Sequence, residues 1–278
     1  MRRKRRWRNL IYLVAGIAIG YLALCFYLAH RYVYPGTSNS AGPPSKFTTP
    51  KDFNAWTNKD WKRPAPIYIL VHGYGGTQEG WSDVAEELRR RGNNIVIPAL
   101  PGHDNRTSEP CGFGVSESET VLKAVAWCRS NSDSKAPIVL VGVSMGGAAS
   151  WLAAAKSPDV TAVVTEGTFA KLEPATKRWF NRKFTAASVC LAPVFWFAQR
   201  ISGVDPATVN PIEAAELWEG KPALVIHGEL DQLFLTDEGQ ALAAASGAPL
   251  WVVKGATHAH CSEPDLTDYV DHVTSVLH

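Results

Sequence analysis

Val139-Leu140-Val141-Gly142-Val143-Ser144-Met145-Gly146-Gly147 is the stretch that decides the fold, and an alanine-rich run, 148–156, follows it directly. Residues of high β propensity lead into a Gly-x-Ser-x-Gly, and good helix formers come after it. Between a strand and a helix, that motif describes a tight turn that lifts the serine hydroxyl clear of the sheet. The positions two before and two after the serine must then be small. The helix that starts there also directs its free N–H groups, and the positive end of its dipole, at the same spot. Ser144 is therefore the candidate nucleophile.

Working outward, short apolar runs at 67–71, 95–99, 138–141, 162–165, 223–226 and 250–253 alternate with segments of helical period. Each suits a strand buried on both faces. Trp81, Val84, Ala85 and Leu88 recur at helical spacing, and Gly92 closes that helix. Ser116-x-x-Glu119 has the form of a capping box opening a helix whose inner face is Val121, Leu122, Val125 and Cys128. Ser262-x-x-Asp265 has the same form ahead of Leu266, Tyr269, Val270, Val273 and Leu277. Such alternation predicts an α/β domain at 45–278, a mostly parallel sheet flanked by helices, with one or two outer strands within 46–58. The residues at about 170–218 are too many for one crossover and predict an inserted helical cap, in which Pro193 would kink a helix.

A serine hydroxyl needs an adjacent base, and the base an orienting acid. Strand 223–226 ends in His227-Gly228-Glu229-Leu230-Asp231, and strand 250–253 in Lys254-Gly255-Ala256-Thr257-His258. Asp231 is the expected acid, with Glu229 its rival, and His258 the expected base, with His260 its rival. Both follow strand C-termini, where open α/β sheets gather their ligands. His72 and His227 read as packed histidines bonded to loop backbone. After strand 67–71, His72-Gly73-Tyr74-Gly75-Gly76 can turn an N–H toward the nucleophile, so the Tyr74 and Met145 amides are the expected oxyanion hole. No Gly-Lys-Ser/Thr follows these glycines, which argues against a nucleotide loop.

The N-terminus adds a membrane question. Arg2, Arg3, Lys4, Arg5, Arg6 and Arg8 precede twenty uncharged residues, 10–29, about what a helix needs to cross ~30 Å of hydrocarbon. The basic tail, 1–9, is expected in the cytoplasm, the span at 10–29, a linker at 30–44 and the domain on the extracytoplasmic side. A cleaved signal peptide is the competing reading, disfavoured because the run is long and Leu28-Ala29-His30 is a poor cleavage site. The overall charge is only +2, and removing the basic tail leaves a mildly acidic domain, so nothing marks a nucleic-acid binder. Cys111, Cys128, Cys190 and Cys261 permit two disulfides or four separate thiols. No metal or other cofactor is implied, and the oligomeric state is left open.

With these residues assigned, the chain from about 45 onward resembles the serine α/β-hydrolase superfamily over nearly its whole length. Pro101-Gly102-His103-Asp104, Gly114-x-x-Glu117, Ser144-Met145-Gly146-Gly147, Glu166-Gly167-Thr168-Phe169 and His227-Gly228-Glu229-Leu230-Asp231 are similar to the lysophospholipase and esterase-like branch, some of whose members carry an N-terminal membrane anchor. The resemblance implies cleavage of a carboxylic ester or thioester through an acyl-enzyme, with Ser144, Asp231 and His258 at the triad positions. The substrate is then a small-molecule or lipid acyl compound. A basic, aromatic cap (Lys171, Lys177, Arg178, Arg182, Lys183, Arg200, with Trp179, Phe195 and Trp196) would suit a lipid headgroup surface, although packed aromatics and solvated charges explain it equally simply. A peptidase or acyltransferase with the same triad, and a non-catalytic binding protein on the same fold, are the alternatives.

Overall fold

A computed structural model describes residues 2–38, 42–184 and 190–278. In chain order its elements are α1 (Arg2–Val33), β1 (Phe47–Thr48), β2 (Ala55–Asn58), β3 (Ile67–Val71), α2 (Ser82–Arg90), β4 (Asn94–Pro98), α3 (Val115–Asn131), β5 (Ile138–Val143) and α4 (Met145–Ala154). There follow β6 (Ala162–Glu166), α5 (Leu172–Phe184), α6 (Ala192–Ser202), α7 (Pro211–Glu216), β7 (Ala223–Gly228), α8 (Thr236–Ser246), β8 (Leu250–Val253) and α9 (Leu266–Ser275). The strands lie in one sheet in the order β1-β2-β4-β3-β5-β6-β7-β8. Neighbours from β4 to β8 are parallel, while β1 and β2 add an antiparallel edge. The six apolar runs are β3 to β8.

These strands are apolar throughout because the pleat sends alternate residues into two cores. Ile67, Ile69 and Val71 of β3, with Ile138 and Leu140 of β5, join Val121, Val125, Ala148, Trp151 and Leu242 on the α3, α4 and α8 side. Tyr68, Leu70, Val139 and Val141 join Val84, Leu88, Tyr269 and Val273 of α2 and α9 on the other. A one-residue slip in either strand would exchange the two sets.

The helix starts differ from expectation in instructive ways. Glu117, not the Ser116 and Glu119 pair, closes the start of α3: its fully buried carboxylate accepts the Gly112 N–H at 2.9 Å and the Gly114 N–H at 2.8 Å. Asp265 rather than Ser262 caps α9, accepting from the Asp268 N–H at 3.0 Å. Pro193 kinks nothing, because α6 begins at Ala192 and the proline occupies its first turn, where no N–H partner is needed. Among the described residues the five cysteines are free thiols, and all but Cys190 are buried.

One helix, α1, is long and apolar enough over Arg3–Val33 to cross a membrane. Its last turns belong to the core of the domain. Residues 30–33, expected as the start of a linker, are helical, and Ala29 and Val33 are fully buried in the cluster that holds Leu100, Cys111 and Phe113. The Val33 carbonyl accepts the Cys111 N–H at 2.9 Å. Over the sheet's C-terminal edge, α5 and α6 form the cap, whereas α7 packs on α4 and α8 in the body. Several cap charges tie it down: Arg178 pairs with Asp237 and with buried Glu238, and Arg182 donates to the Gln232 and Leu233 carbonyls.

Candidate active site

Ser144 sits between β5 and α4 with φ 54° and ψ −118°, a backbone conformation that side chains other than glycine rarely adopt. The surroundings enforce it: the Ser144 N–H donates to the Glu166 carbonyl at 2.8 Å, and its own carbonyl accepts from Ala148 at 3.1 Å. The flanking glycines are required by contact. A methyl on Gly142 would overlap the Gly146 carbonyl, and one on Gly146 the Val71 carbonyl.

Chain reversals at the ends of β7 and β8 deliver the partners. His258 Nε2 lies 3.0 Å from Ser144 Oγ, and His258 Nδ1 lies 2.7 Å from Asp231 Oδ2. Asp231 is buried, and its Oδ1 accepts the Leu233 and Phe234 N–H groups at 2.8 and 3.0 Å. Burial pushes its carboxyl up, but hydrogen bonds from His227 and His258 outweigh that and hold it at about 2. The carboxylate is thus ionised wherever the imidazole can act as a base. The rivals point elsewhere: exposed Glu229 accepts the Gly255 N–H at 2.9 Å, and His260 pairs with Glu263 at 2.6 Å.

The loop after β3 closes against Ser144, for a methyl on Gly73 would stand 3.2 Å from Ser144 Cβ. Tyr74 and Met145 line one cavity with Ser144. Four groups position these elements from distant places in the chain. Asp104 Oδ2 meets His72 Nε2 at 3.0 Å while its Oδ1 accepts the Gln78 N–H at 2.9 Å, clamping both ends of the glycine loop. His103 is held down at about 4 by burial and by its neighbour His72, so it is neutral. Its Nδ1–H donates to the Pro101 carbonyl at 2.8 Å and its Nε2 accepts the Gly75 N–H at 2.9 Å. Buried Glu166 accepts from the Cys261 N–H and the Tyr269 hydroxyl, both at 2.9 Å, fixing the segment that carries His258. Finally, the Tyr74 hydroxyl donates to the Tyr32 carbonyl at 2.9 Å, and Tyr32 stacks on Phe113 with centroids 4.8 Å apart, so the last turn of α1 walls the site.

His227 behaves as a packed histidine, its Nε2–H donating to the Phe234 carbonyl at 2.9 Å, yet it also stands 3.4 Å from Asp231 Oδ2. The cavity over Ser144 measures 280 Å³ and is walled by Tyr32, Phe113, Met145, Phe169, Leu172 and Trp179, among others. Its lining is mostly apolar.

Esterase Pf2001 of Pyrococcus furiosus superposes with a TM-score of 0.71 at 19% identity, covering 88% of this chain and 97% of its own. Est1E of Butyrivibrio proteoclasticus gives 0.60 at 17% identity, covering 83% and 96% respectively. A puromycin-hydrolyzing peptidase of Mycobacterium tuberculosis gives 0.59 at 13% identity, covering 84% of this chain and 40% of its own. At these identities the likeness is one of fold. The sequence itself goes further, because residues 68–267 match the family as such, and this chain belongs to the Alpha/beta hydrolase family.

Proposed function

We propose that this chain is a membrane-anchored serine hydrolase that cleaves a carboxylic ester or thioester of an acyl lipid, a lysophospholipid being one substrate of that class. The observation that carries it is the unbroken relay from Ser144 Oγ through His258 to ionised Asp231, at 3.0 and 2.7 Å, beneath an apolar cavity. His258 takes the hydroxyl proton as Ser144 Oγ attacks the acyl carbonyl, and Asp231 stabilises the imidazolium. The Tyr74 and Met145 N–H groups hold the oxyanion. The imidazolium then protonates the departing alcohol or thiol, and water, deprotonated by His258, releases the acyl group from Ser144. The basic tail lies in the cytoplasm and the hydrolase domain on the opposite side of the membrane.

A fluorophosphonate probe tests the reading. Labelling of the full-length protein that disappears in Ser144→Ala is the expected result, and folded wild-type protein that is never labelled defeats it. A series of acyl esters in mixed micelles then decides the substrate class: turnover confined to short soluble esters refutes the lipid assignment.

A further inference from the structure

Over its C-terminal half α1 has a companion. The Tyr21 hydroxyl meets the Cys190 carbonyl, and the Phe26 ring packs edge-on against Phe197 with centroids 5.4 Å apart. Position 190 therefore stands beside 21 and position 197 beside 26, so α6 and the turn before it run along α1 in the same direction.

Bilayer dimensions make that placement consequential. The basic residues at 2–8 fix one end of the span. From there ~30 Å of hydrocarbon, at about 1.5 Å per residue, takes roughly twenty residues, reaching position 29. A span that stopped short of α6, at position 20, would offer only about 17 Å. A bilayer crossed by α1 must therefore also contain α6. The side chains agree. Positions 190–198, Cys-Leu-Ala-Pro-Val-Phe-Trp-Phe-Ala, carry no charge. Trp196 is 53% exposed. The first charge, Arg200, lies 5.1 Å from the Trp196 ring centroid, toward the end of the helix that would reach headgroup depth.

Behind α6 is a second cavity of 320 Å³, walled by Ala192, Phe195, Trp196 and Ala198 of α6 and by residues of α5. It shares Tyr32, Phe113, Leu172 and Thr176 with the cavity over Ser144, so the two have a common wall. We propose that α6 lies within the leaflet on the hydrolase side, and that the cavity it walls takes the acyl chain of a lipid directly from that leaflet toward Ser144. The second half rests on Ser144 being the nucleophile; the first does not.

The native chain carries its own probe, since Cys190 is exposed and the other four cysteines are buried. A nitroxide on Cys190 of the full-length protein, in vesicles of phosphatidylcholine and phosphatidylglycerol, should collide several-fold more with oxygen than with a water-soluble nickel chelate. Trp196→Cys in a Cys190→Ser background should show the same preference. Equal or greater relaxation by the chelate at both positions overturns the immersion of α6. For the cavity, Thr176→Trp fills the shared wall and should lower the ratio of hexadecanoyl to butanoyl ester hydrolysis at least tenfold. An unchanged ratio in protein that still labels with fluorophosphonate overturns the acyl-chain assignment alone. Wild type that does not label strikes the nucleophile reading and leaves the nitroxide result to stand by itself.

Discussion

Replacing Asp231 by Asn changes one atom, and the surroundings dictate how the new amide must sit. Oδ1 accepts the Leu233 and Phe234 N–H groups at 2.8 and 3.0 Å, so the amide oxygen of the variant must stay there and the NH2 must take the place of Oδ2, 2.7 Å from His258 Nδ1. Flipping the amide would set two donors against two donors. An N–H facing Nδ1 fixes the imidazole with its proton on Nε2, leaving no lone pair for the Ser144 hydroxyl. The expected loss in kcat is on the order of 10⁴-fold, about 5.5 kcal/mol of barrier. Kinetics on a p-nitrophenyl ester measure it, with Ser144→Ala as the floor. Stability follows a separate sign. The folded carboxyl is held at about 2 against an ordinary 3.8, so it contributes stability above pH ~4 that is lost as pH falls toward 2. That contribution is about 2 kcal/mol, and it is absent from the Asn variant, whose melting temperature should vary less across this window. An Asn variant that keeps more than a tenth of wild-type kcat would refute Asp231 as the orienting acid.

Gly146→Ala drives a methyl into the Val71 carbonyl of a central strand paired on both sides, and should cost about 3 kcal/mol, the upper end of the overpacking range, in a urea melt; a variant of wild-type stability would contradict the close approach. Glu117→Ala strands the buried Gly112 and Gly114 N–H groups, with an expected loss of about 2–4 kcal/mol by denaturant titration, where a change below ~1 would show that water replaces the carboxylate. His260→Ala removes only an exposed pair with Glu263, so kcat should stay within about twofold of wild type; a large fall would return His260 to candidacy as base.

What the sequence disclosed is what neighbouring residues decide. Strand placement follows from apolar runs, and the candidate nucleophile, acid and base each sit where a run ends, so Ser144, Asp231 and His258 were legible together with the sheet that aligns them. The supporting groups were not. Asp104 acts on His72 across 32 positions, and Glu166 on Cys261 across 95, so the strings that contain them resemble the family without showing what either carboxylate holds. The start of α3 fails differently: Ser116-x-x-Glu119 and Gly114-x-x-Glu117 overlap, and only packing decides which glutamate turns inward. Most consequential is α1, where hydropathy counts apolar side chains without saying what covers them. Phe26 and Tyr27 are exposed, whereas Ala29 and Val33 are fully enclosed by the hydrolase core. A continuous apolar pattern thus conceals one face, Cys25, Ala29 and Val33 at i, i+4 and i+8, that protein covers. Because Tyr32 lies in the last turn of α1 and its carbonyl receives the Tyr74 hydroxyl, α1 also shapes the loop expected to hold the oxyanion. Removing α1 would therefore disturb the site itself.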